Sequence, residues 1–155
     1  AVQDPVFRFC LMQMGCEDKA REATQETALR IIQNYSRFDG RSKVTTWALG
    51  IALNVCRELR RKREKGQSGV ELEEVSESKP GDCPLERAEQ IDQLQIAMQQ
   101  LTERQRETLT LRYLEGISVS ETARILQMAE GTVKATTYQA LDIPRRLIGA
   151  KHESP

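Results

Sequence analysis

Apolar positions recur along most of this chain at the three- and four-residue spacing of an α-helix. No segment alternates convincingly with the period of two that a β-strand requires. Proline is absent from residues 6–79 and from residues 85–143, and both stretches are rich in Ala, Leu, Gln, Glu and Arg, which favour helices. The pattern therefore predicts an all-α protein.

The first part of the chain is predicted to form three helices. The first covers 5–14, is apolar nearly all round and ends at Gly15, and the second covers 17–35. The third covers 44–64 and follows a loop at 37–43. We expect one face of the second helix to be buried: Ala20, Ala23, Thr24, Ala28, Ile31, Ile32 and Tyr35. The third helix has a corresponding apolar stripe: Val44, Trp47, Ala48, Ile51, Ala52, Val55 and Leu59.

The last part of the chain is predicted to form four shorter helices. The first covers 85–100, and the sequence Thr-Glu-Arg-Gln at 102–105 has the form of a capping box that opens the next. That helix runs to Leu114, with Gly116 as its C-cap glycine. A second capping-box sequence at 118–121 opens a helix to about 126, and the final helix runs from about 130 to 142 or beyond.

Residues 118–141 have the proportions of a helix-turn-helix unit, with a helix of about eight residues, a three-residue turn and a longer helix. In such a unit the second helix enters the major groove of DNA and presents the side chains of its first turns to the base edges. An ordinary pair of antiparallel helices in a bundle would have the same pattern. The pattern alone therefore leaves both interpretations open.

The balance of charged residues changes near the boundary between the two proline-free stretches. Residues 1–67 hold 13 Lys and Arg against 8 Asp and Glu, residues 68–90 hold 2 against 7, and residues 91–155 hold 8 against 8. The stretch 66–84 is rich in Gly, Ser, Pro and acid, which is typical of a linker. We therefore predict two helical domains, 1–67 and 91–155, joined by a flexible acidic linker at 68–90. The formal net charge of zero conceals a basic block that is suited to nucleic acid.

Several functional classes are excluded by what the chain contains. The four cysteines lie at positions 10, 16, 56 and 83, and the one histidine is His152, which is too scattered a set for a zinc site. No nucleophile–base set and no phosphate-binding glycine loop is present, so we expect no enzyme activity, no cofactor and no metal. We expect Cys10 and Cys56 to pack as small apolar side chains. No apolar run is long enough to cross a membrane and no secretory leader is visible, which predicts a cytoplasmic protein.

The end of the third helix carries six Lys and Arg in nine residues, 57–65, enough to follow a phosphate backbone. Phe38 and Trp47 lie near Arg41 and Lys43 in sequence, a combination that suits unstacked single-stranded bases. The basic run could equally be a solvated helix face. Trp47, which lies on the apolar stripe, could equally belong to the core.

Two segments resemble the sigma-70 family of bacterial RNA polymerase factors. Residues 25–63 resemble region 2 and read QETALRIIQNYSRFDGRSKVTTWALGIALNVCRELRRKR, and residues 101–141 resemble region 4 and read LTERQRETLTLRYLEGISVSETARILQMAEGTVKATTYQAL. The two matches stand in the family's order and cover about two thirds of the chain. No region 1 or region 3 domain fits before or between them, and this brevity resembles the extracytoplasmic-function (ECF) group of alternative sigma factors.

The resemblance implies three sets of contacts. Residues expected to dock on the clamp coiled coil of core RNA polymerase are Glu22, Gln25, Glu26, Leu29 and Arg30. Residues expected to capture and hold the melted −10 element are Phe38, Asp39, Arg41, Ser42, Lys43, Thr46, Trp47, Asn54, Arg57, Arg60 and Arg61. Residues expected at the −35 element are Arg112 and Ser120 on phosphates and Thr132, Lys134, Ala135, Thr137 and Tyr138 on the reading face. The same block is expected to contact the polymerase flap.

The chain departs from the family pattern in the last two helices. Gln127 replaces a glycine in the tight turn and must adopt a positive φ. Thr136, Gln139 and Asp142 stand where arginines are frequent, and Pro144 is expected to kink or end the final helix early. These changes lower the positive charge of the −35 reader and predict weak −35 binding by this block alone.

The resemblance predicts an alternative sigma factor that binds core RNA polymerase and promoter DNA, held in check by an anti-sigma factor, with no membrane insertion. The acidic linker residues would keep the linker off DNA and let it lie in a basic channel of the polymerase: Glu71, Glu73, Glu74, Glu77 and Asp82. A solvated linker without such a role is the equal alternative. Two alternatives remain open. One is a helix-turn-helix transcriptional regulator that binds duplex DNA without polymerase, and the other is a sigma-like interaction protein without promoter activity.

Overall fold

The computed structural model describes the backbone of residues 3–67 and 89–152, and the side chains of residues 4–65 and 93–142. Every regular element in these residues is helical, which confirms the all-α prediction. The chain divides into two compact units, Ala1–Glu86 and Arg87–Pro155. The predicted linker lies outside the described residues, apart from its last two positions, which are helical.

The first unit is a three-helix assembly of α1 (Gln3–Met14), α2 (Glu17–Asn34) and α3 (Val44–Gln67), in which each helix packs against the other two. A short 3₁₀ turn, Tyr35–Arg37, follows α2 and leads into the loop before α3. The core of the first unit is built from apolar side chains of the three helices: Val6, Phe9, Cys10, Ala20, Ala23, Ala48, Leu49, Ala52, Leu53, Val55 and Cys56.

The buried face of α2 differs from the predicted one. Only small side chains of this helix are buried, namely Ala20, Ala23, Thr24 and Thr27, whereas Ile32 is 75% exposed. These small residues let α1 and α3 pack closely against α2. The Thr24 hydroxyl donates to the Ala20 carbonyl at 2.7 Å, and the Thr27 hydroxyl donates to the Ala23 carbonyl at 2.6 Å. The prediction that Ala28, Ile32 and Tyr35 are buried is therefore wrong, and these side chains face solvent.

The buried stripe of α3 is wider than the predicted one, and it includes Ala48, Ala52 and Val55 as predicted. Leu49, Leu53 and Cys56 are buried, whereas Trp47 and Ile51 are only half-buried. Contacts with both α1 and α2 widen the buried sector of α3 and leave Trp47 and Ile51 at its edge, which is where the candidate site forms.

Cys10 and Cys56 are fully buried between α1 and α3 and behave as the small apolar side chains that the sequence predicts. The Cys56 thiol donates to Cys10 Sγ at 3.8 Å, and this contact lowers the pKa of the Cys10 thiol from its usual value.

Within 4–65 and 93–142, where side chains are described, no three His, Cys, Asp or Glu side chains come together as possible ligands of one metal ion. The helices within 3–67 and 89–152 include none whose length and apolar content would let it cross a membrane.

The second unit consists of α4 (Glu89–Gln99), α5 (Glu103–Leu109), α6 (Val119–Leu126) and α7 (Glu130–His152). The capping box that opens α5 is confirmed, because Thr102 Oγ1 accepts from the Gln105 N–H at 3.2 Å and Gln105 Oε1 accepts from the Thr102 N–H at 3.2 Å. At α6 the structure shows the Ser118 half of the predicted box, with Ser118 Oγ accepting from the Glu121 N–H at 3.1 Å.

Helix α5 ends at Leu109, whereas the sequence predicts a helix that runs to Leu114. Residues Thr110–Leu114 form a π-helical turn, in which the Glu115 N–H donates to the Thr110 carbonyl at 3.0 Å. Gly116 follows with a φ of +66°, as expected of a C-cap glycine.

Of the two outcomes predicted for Pro144, a kink or an early end, the early end is wrong, because α7 continues past it to His152. A proline removes one backbone donor and leaves the other hydrogen bonds of a helix available. The residues that follow, from Arg145 to Leu147, are good helix formers, so the helix propagates beyond the missing bond.

Candidate nucleic-acid interface

An open cleft of about 300 Å³ lies between the end of α2 and the middle of α3. Its lining combines cationic, amide and aromatic side chains with one aliphatic: Arg30, Asn34, Arg37, Trp47, Ile51 and Asn54. Arginines supply charge for a phosphate, the amides supply donors and acceptors for base edges, and an indole supplies a stacking surface. The cleft is therefore chemically suited to a nucleotide.

Two aromatic rings, those of Phe38 and Tyr35, hold Trp47 at the edge of this cleft. The centroid of the Phe38 ring lies 5.1 Å from that of Trp47, with an interplanar angle of 43°. The Tyr35 ring lies 6.5 Å from Trp47 in an edge-to-face arrangement with an angle of 70°. Because both neighbours come from the segment just after α2, the indole is held by the start of the loop that precedes α3.

The loop itself is a tight turn between Phe38 and Lys43. Asp39 Oδ1 accepts from the Arg41 N–H at 3.0 Å, and Gly40 between them has a φ of +76°. A Cβ at position 40 would meet no atom within 4 Å, so this glycine is required by its backbone conformation and not by packing. The Arg41 side chain is 83% exposed, with its Nε 3.4 Å from Asp39 Oδ2. Ser42 is half-buried and Lys43 is exposed, so the predicted loop residues form one accessible surface.

Arg30 joins α2 to α3. Its Nη1 donates to Glu58 Oε1 at 3.1 Å, its Nη2 pairs with Glu58 Oε2, and its Nε donates to Glu26 Oε1 at 3.2 Å. The hydrogen bonds from Arg30 lower the pKa of the Glu58 carboxyl, and Glu58 in turn raises the pKa of Arg30. The structure thus places Arg30 in the cleft wall. Its contact with core polymerase stays a prediction.

The basic end of α3 continues from the cleft. Asn54 and Arg61 are exposed, and Arg57 and Arg60 are half-buried. At the start of α2, burial and then the charge of Arg63 lower the pKa of Lys19. Thr46, by contrast, is only 3% exposed and its side chain faces the core of the unit, so burial does not support its predicted −10 contact.

The exposed face of α2 carries the other predicted contacts of the first unit. Glu22 and Gln25 are exposed, Leu29 is 55% exposed and Glu26 is half-buried. Ile32 and Tyr35 continue this surface toward the end of the helix. An apolar strip with a polar border is typical of a protein-docking surface. We call this strip, Leu29, Ile32 and Tyr35, the α2 strip.

In the second unit, α6 and α7 form the predicted helix-turn-helix. Val133 and Ala140 face its core, and the opposite side of α7 exposes Thr132, Lys134, Ala135 and Tyr138. Thr137 is only 8% exposed and its hydroxyl donates to the Val133 carbonyl at 2.7 Å. Residue 137 lies on the core side of the helix, one turn after Val133, so burial does not support its predicted place on the reading face.

The two predicted phosphate contacts near the turn differ in their surroundings. Ser120 is exposed in the first turn of α6. Arg112 is half-buried in the π turn, and its Nη1 donates to the Ile117 carbonyl, which ties the π turn to the start of α6.

Sequence reasoning missed five residues of these surfaces. Asn34, Arg37 and Ile51 line the cleft, and Ile32 and Tyr35 belong to the α2 strip. The change from small residues, Ala20 to Thr27, to bulky ones after position 28 was a usable signal, because a helix that packs closely on two others buries its small side chains.

Comparisons with known proteins agree across both units. The family model described as Sigma-70 region 2 matches residues 1–66, and the model described as Sigma-70, region 4 matches residues 91–142. The ECF RNA polymerase sigma factor SigX of Bacillus subtilis is 27% identical over 149 residues, which cover 91% of this chain and 76% of SigX. The ECF RNA polymerase sigma factor SigC of Mycobacterium tuberculosis is 33% identical over 147 residues, which cover 92% of this chain and 76% of SigC.

Among solved structures, the sigma factor RpoE of Bartonella quintana, in complex with the anti-sigma factor NepR, superposes with a TM-score of 0.78. The match covers 96% of this chain and 92% of that one at 23% identity, so the two share a fold.

Proposed function

This chain belongs to the sigma-70 family of RNA polymerase factors, in its ECF group, and we propose that its two units divide promoter recognition between them. Sigma factors direct transcription initiation and are not themselves enzymes. The first unit binds core polymerase and opens the −10 element, and the second reads the −35 element. The observation that carries the proposal is the cleft in which Trp47, Arg37 and Asn54 meet beside the loop 38–43.

Opening the −10 element requires bases to leave the stack, at a cost of a few kcal/mol for each base. Stacking on an exposed aromatic returns about 1–3 kcal/mol per base. Trp47 offers that surface, Arg37 and the exposed Arg41 offer charge to the strand, and Arg57, Arg60 and Arg61 follow the backbone along α3. Phe38, Asp39, Ser42 and Lys43 form the adjoining loop that receives a base.

Docking on the clamp coiled coil of core polymerase is assigned to the exposed face of α2. The α2 strip supplies apolar area, and Glu22, Gln25 and Glu26 supply a polar border. Interfaces of this kind place apolar and aromatic side chains at the centre and charged ones at the rim. An anti-sigma factor that covers the α2 strip would exclude polymerase, and we propose such a partner and a cytoplasmic location.

Reading of the −35 element is assigned to the exposed side of α7. Thr132, Lys134, Ala135 and Tyr138 are presented together, and Tyr138 is 78% exposed. Ser120 stands at the N-terminus of α6, where a phosphate is favoured, and Arg112 adds a nearby cation. The same unit contacts the polymerase flap, while the acidic connector 68–90 stays off the DNA.

We expect weak −35 binding by residues 91–155 alone. Lys134 is the one Lys or Arg between positions 130 and 142, and Asp142 is exposed on the reading side. Few phosphate contacts give low affinity and a shallow salt dependence. Titration of the fragment against duplex −35 DNA at physiological salt is expected to give a Kd weaker than ~1 µM, in the range of non-specific binding. Tight and sequence-specific binding by the fragment would contradict this expectation.

The proposed function is tested by adding the full chain to core RNA polymerase with a library of promoter sequences. Run-off transcripts that start at a shared pair of elements are expected only when both proteins are present. A transcriptional regulator would instead bind duplex DNA without polymerase. A sigma-like interaction protein would bind polymerase and yield no transcripts, and either result would refute the proposal.

A further inference from the structure

The turn between α6 and α7 contains a strained residue. Gln127 has φ 55° and ψ 50°, and it is the one non-glycine residue with a positive φ among those that the structure describes. The Met128 N–H donates to the Ala123 carbonyl at 2.9 Å, which closes α6 in the manner of a Schellman cap. Such a cap ordinarily uses glycine, because a side chain in this conformation is crowded by its own backbone.

A side chain from another helix holds this turn. Arg104, in the first turn of α5, donates from Nη1 to the carbonyl of Leu126 at 3.0 Å. Leu126 ends α6 and directly precedes Gln127, so the guanidinium binds the peptide group at which the chain turns left-handed. A charged donor on a helix-terminal carbonyl makes a stronger bond than a neutral one.

Small changes in this turn would move the reading face. Helix α7 begins at Glu130, three residues after Gln127, and its Val133 is fully buried against the rest of the unit. The path from 127 to 130 therefore sets the direction in which Lys134 and Tyr138 project. The Arg104 bond restrains that path from outside the helix-turn-helix itself.

We propose that Arg104 is a positioning residue for −35 recognition: through the Leu126 carbonyl it stabilises the left-handed turn at Gln127 and so orients α7. The inference rests on the proposed function, since it presumes that α7 reads the −35 element. It assigns Arg104 to the turn and not to a phosphate.

The experiment uses the full chain with core polymerase and two promoters, one with its −35 element intact and one with that element scrambled. Arg104→Ala is expected to lower the preference for the intact promoter about tenfold, with the slope of log affinity against log salt unchanged. The double variant Arg104→Ala/Gln127→Gly is expected to regain most of the preference, because glycine adopts the turn without strain. Arg124→Ala is the matched control, since Arg124 is an exposed arginine of α6 and its loss removes the same charge.

The outcomes separate the possible roles of Arg104. A salt slope that becomes shallower by about one, with no rescue by Gln127→Gly, would mean that Arg104 contacts a phosphate and would overturn the proposal. An unchanged preference in Arg104→Ala would also overturn it. If alanine unfolds the second unit, Arg104→Gln keeps the stem and a neutral donor and should show a smaller loss with the same rescue. A wild-type chain that does not distinguish the two promoters would refute the proposed function instead.

Discussion

Replacing Trp47 with alanine is expected to slow promoter opening by roughly 10- to 100-fold, since base–aromatic stacking contributes about 1–3 kcal/mol per base. Trp47 is half-buried at the edge of the cleft, where Tyr35 and Phe38 hold its ring in place. Its loss removes the surface on which an extruded base would stack. The rate of open-complex formation, followed by the reactivity of unpaired thymines, measures the effect.

Two controls distinguish stacking from folding. Trp47→Phe retains an aromatic face and should lose far less activity than Trp47→Ala. On a promoter whose −10 element is already mismatched, the defect of Trp47→Ala should shrink, because the cost of unpairing has been removed. An equal defect on duplex and mismatched promoters, together with weaker binding to core polymerase, would show that Trp47 serves only to stabilise the unit.

Replacing Ile32 with glutamate is expected to weaken the complex with core polymerase by at least ~30-fold, as truncation or charging of a central interface residue costs about 2 kcal/mol or more. Ile32 is 75% exposed and lies at the middle of the α2 strip, so a charge there disturbs the docking surface and leaves the core intact. Competition with a second sigma factor for a limiting amount of core polymerase gives the relative affinity.

The neighbouring residue provides the control for charge. Gln33→Glu adds the same charge at an exposed position one residue further along α2 and removes no apolar area, so it should change the affinity only slightly. Unchanged binding by Ile32→Glu would remove the α2 strip from the docking surface. A matched loss in both variants would indicate a general effect of negative charge.

The helices and their ends could be predicted because the interactions that define them are local. The Thr102 capping box, the positive φ of Gly116 and the strained Gln127 all follow from residues within one turn of each other. The π turn at Thr110–Leu114 could not be predicted, since its hydrogen bonds differ from those of an α-helix by a single residue in register. The continuation of α7 through Pro144 does not follow from the proline alone, because the helix propensity of the residues on either side also decides where the helix ends.

Only the part of the candidate site that is local in sequence could be predicted. Phe38, Asp39, Arg41 and Trp47 are close in sequence and were found together, whereas the cleft also needs Asn34 and Ile51, which lie 17 positions apart on two helices. The family motifs place Thr46 at the −10 surface and Thr137 at the −35 surface, yet packing turns both side chains toward a core.

By itself the sequence determined the class of fold, the caps at Thr102 and Gly116, the charge of each block and the family. These properties depend on residue type and on short-range spacing, which a single chain displays directly. Only the tertiary structure decided which face of α2 is buried, that Arg30 pairs with Glu58 and that Arg104 binds the Leu126 carbonyl beside Gln127. The Arg30–Glu58 contact joins α2 to α3 across 28 positions of sequence, and the Arg104–Leu126 contact joins α5 to α6 across 22. The periodicity of a helix does not tell which residues so far apart in sequence lie close together in space.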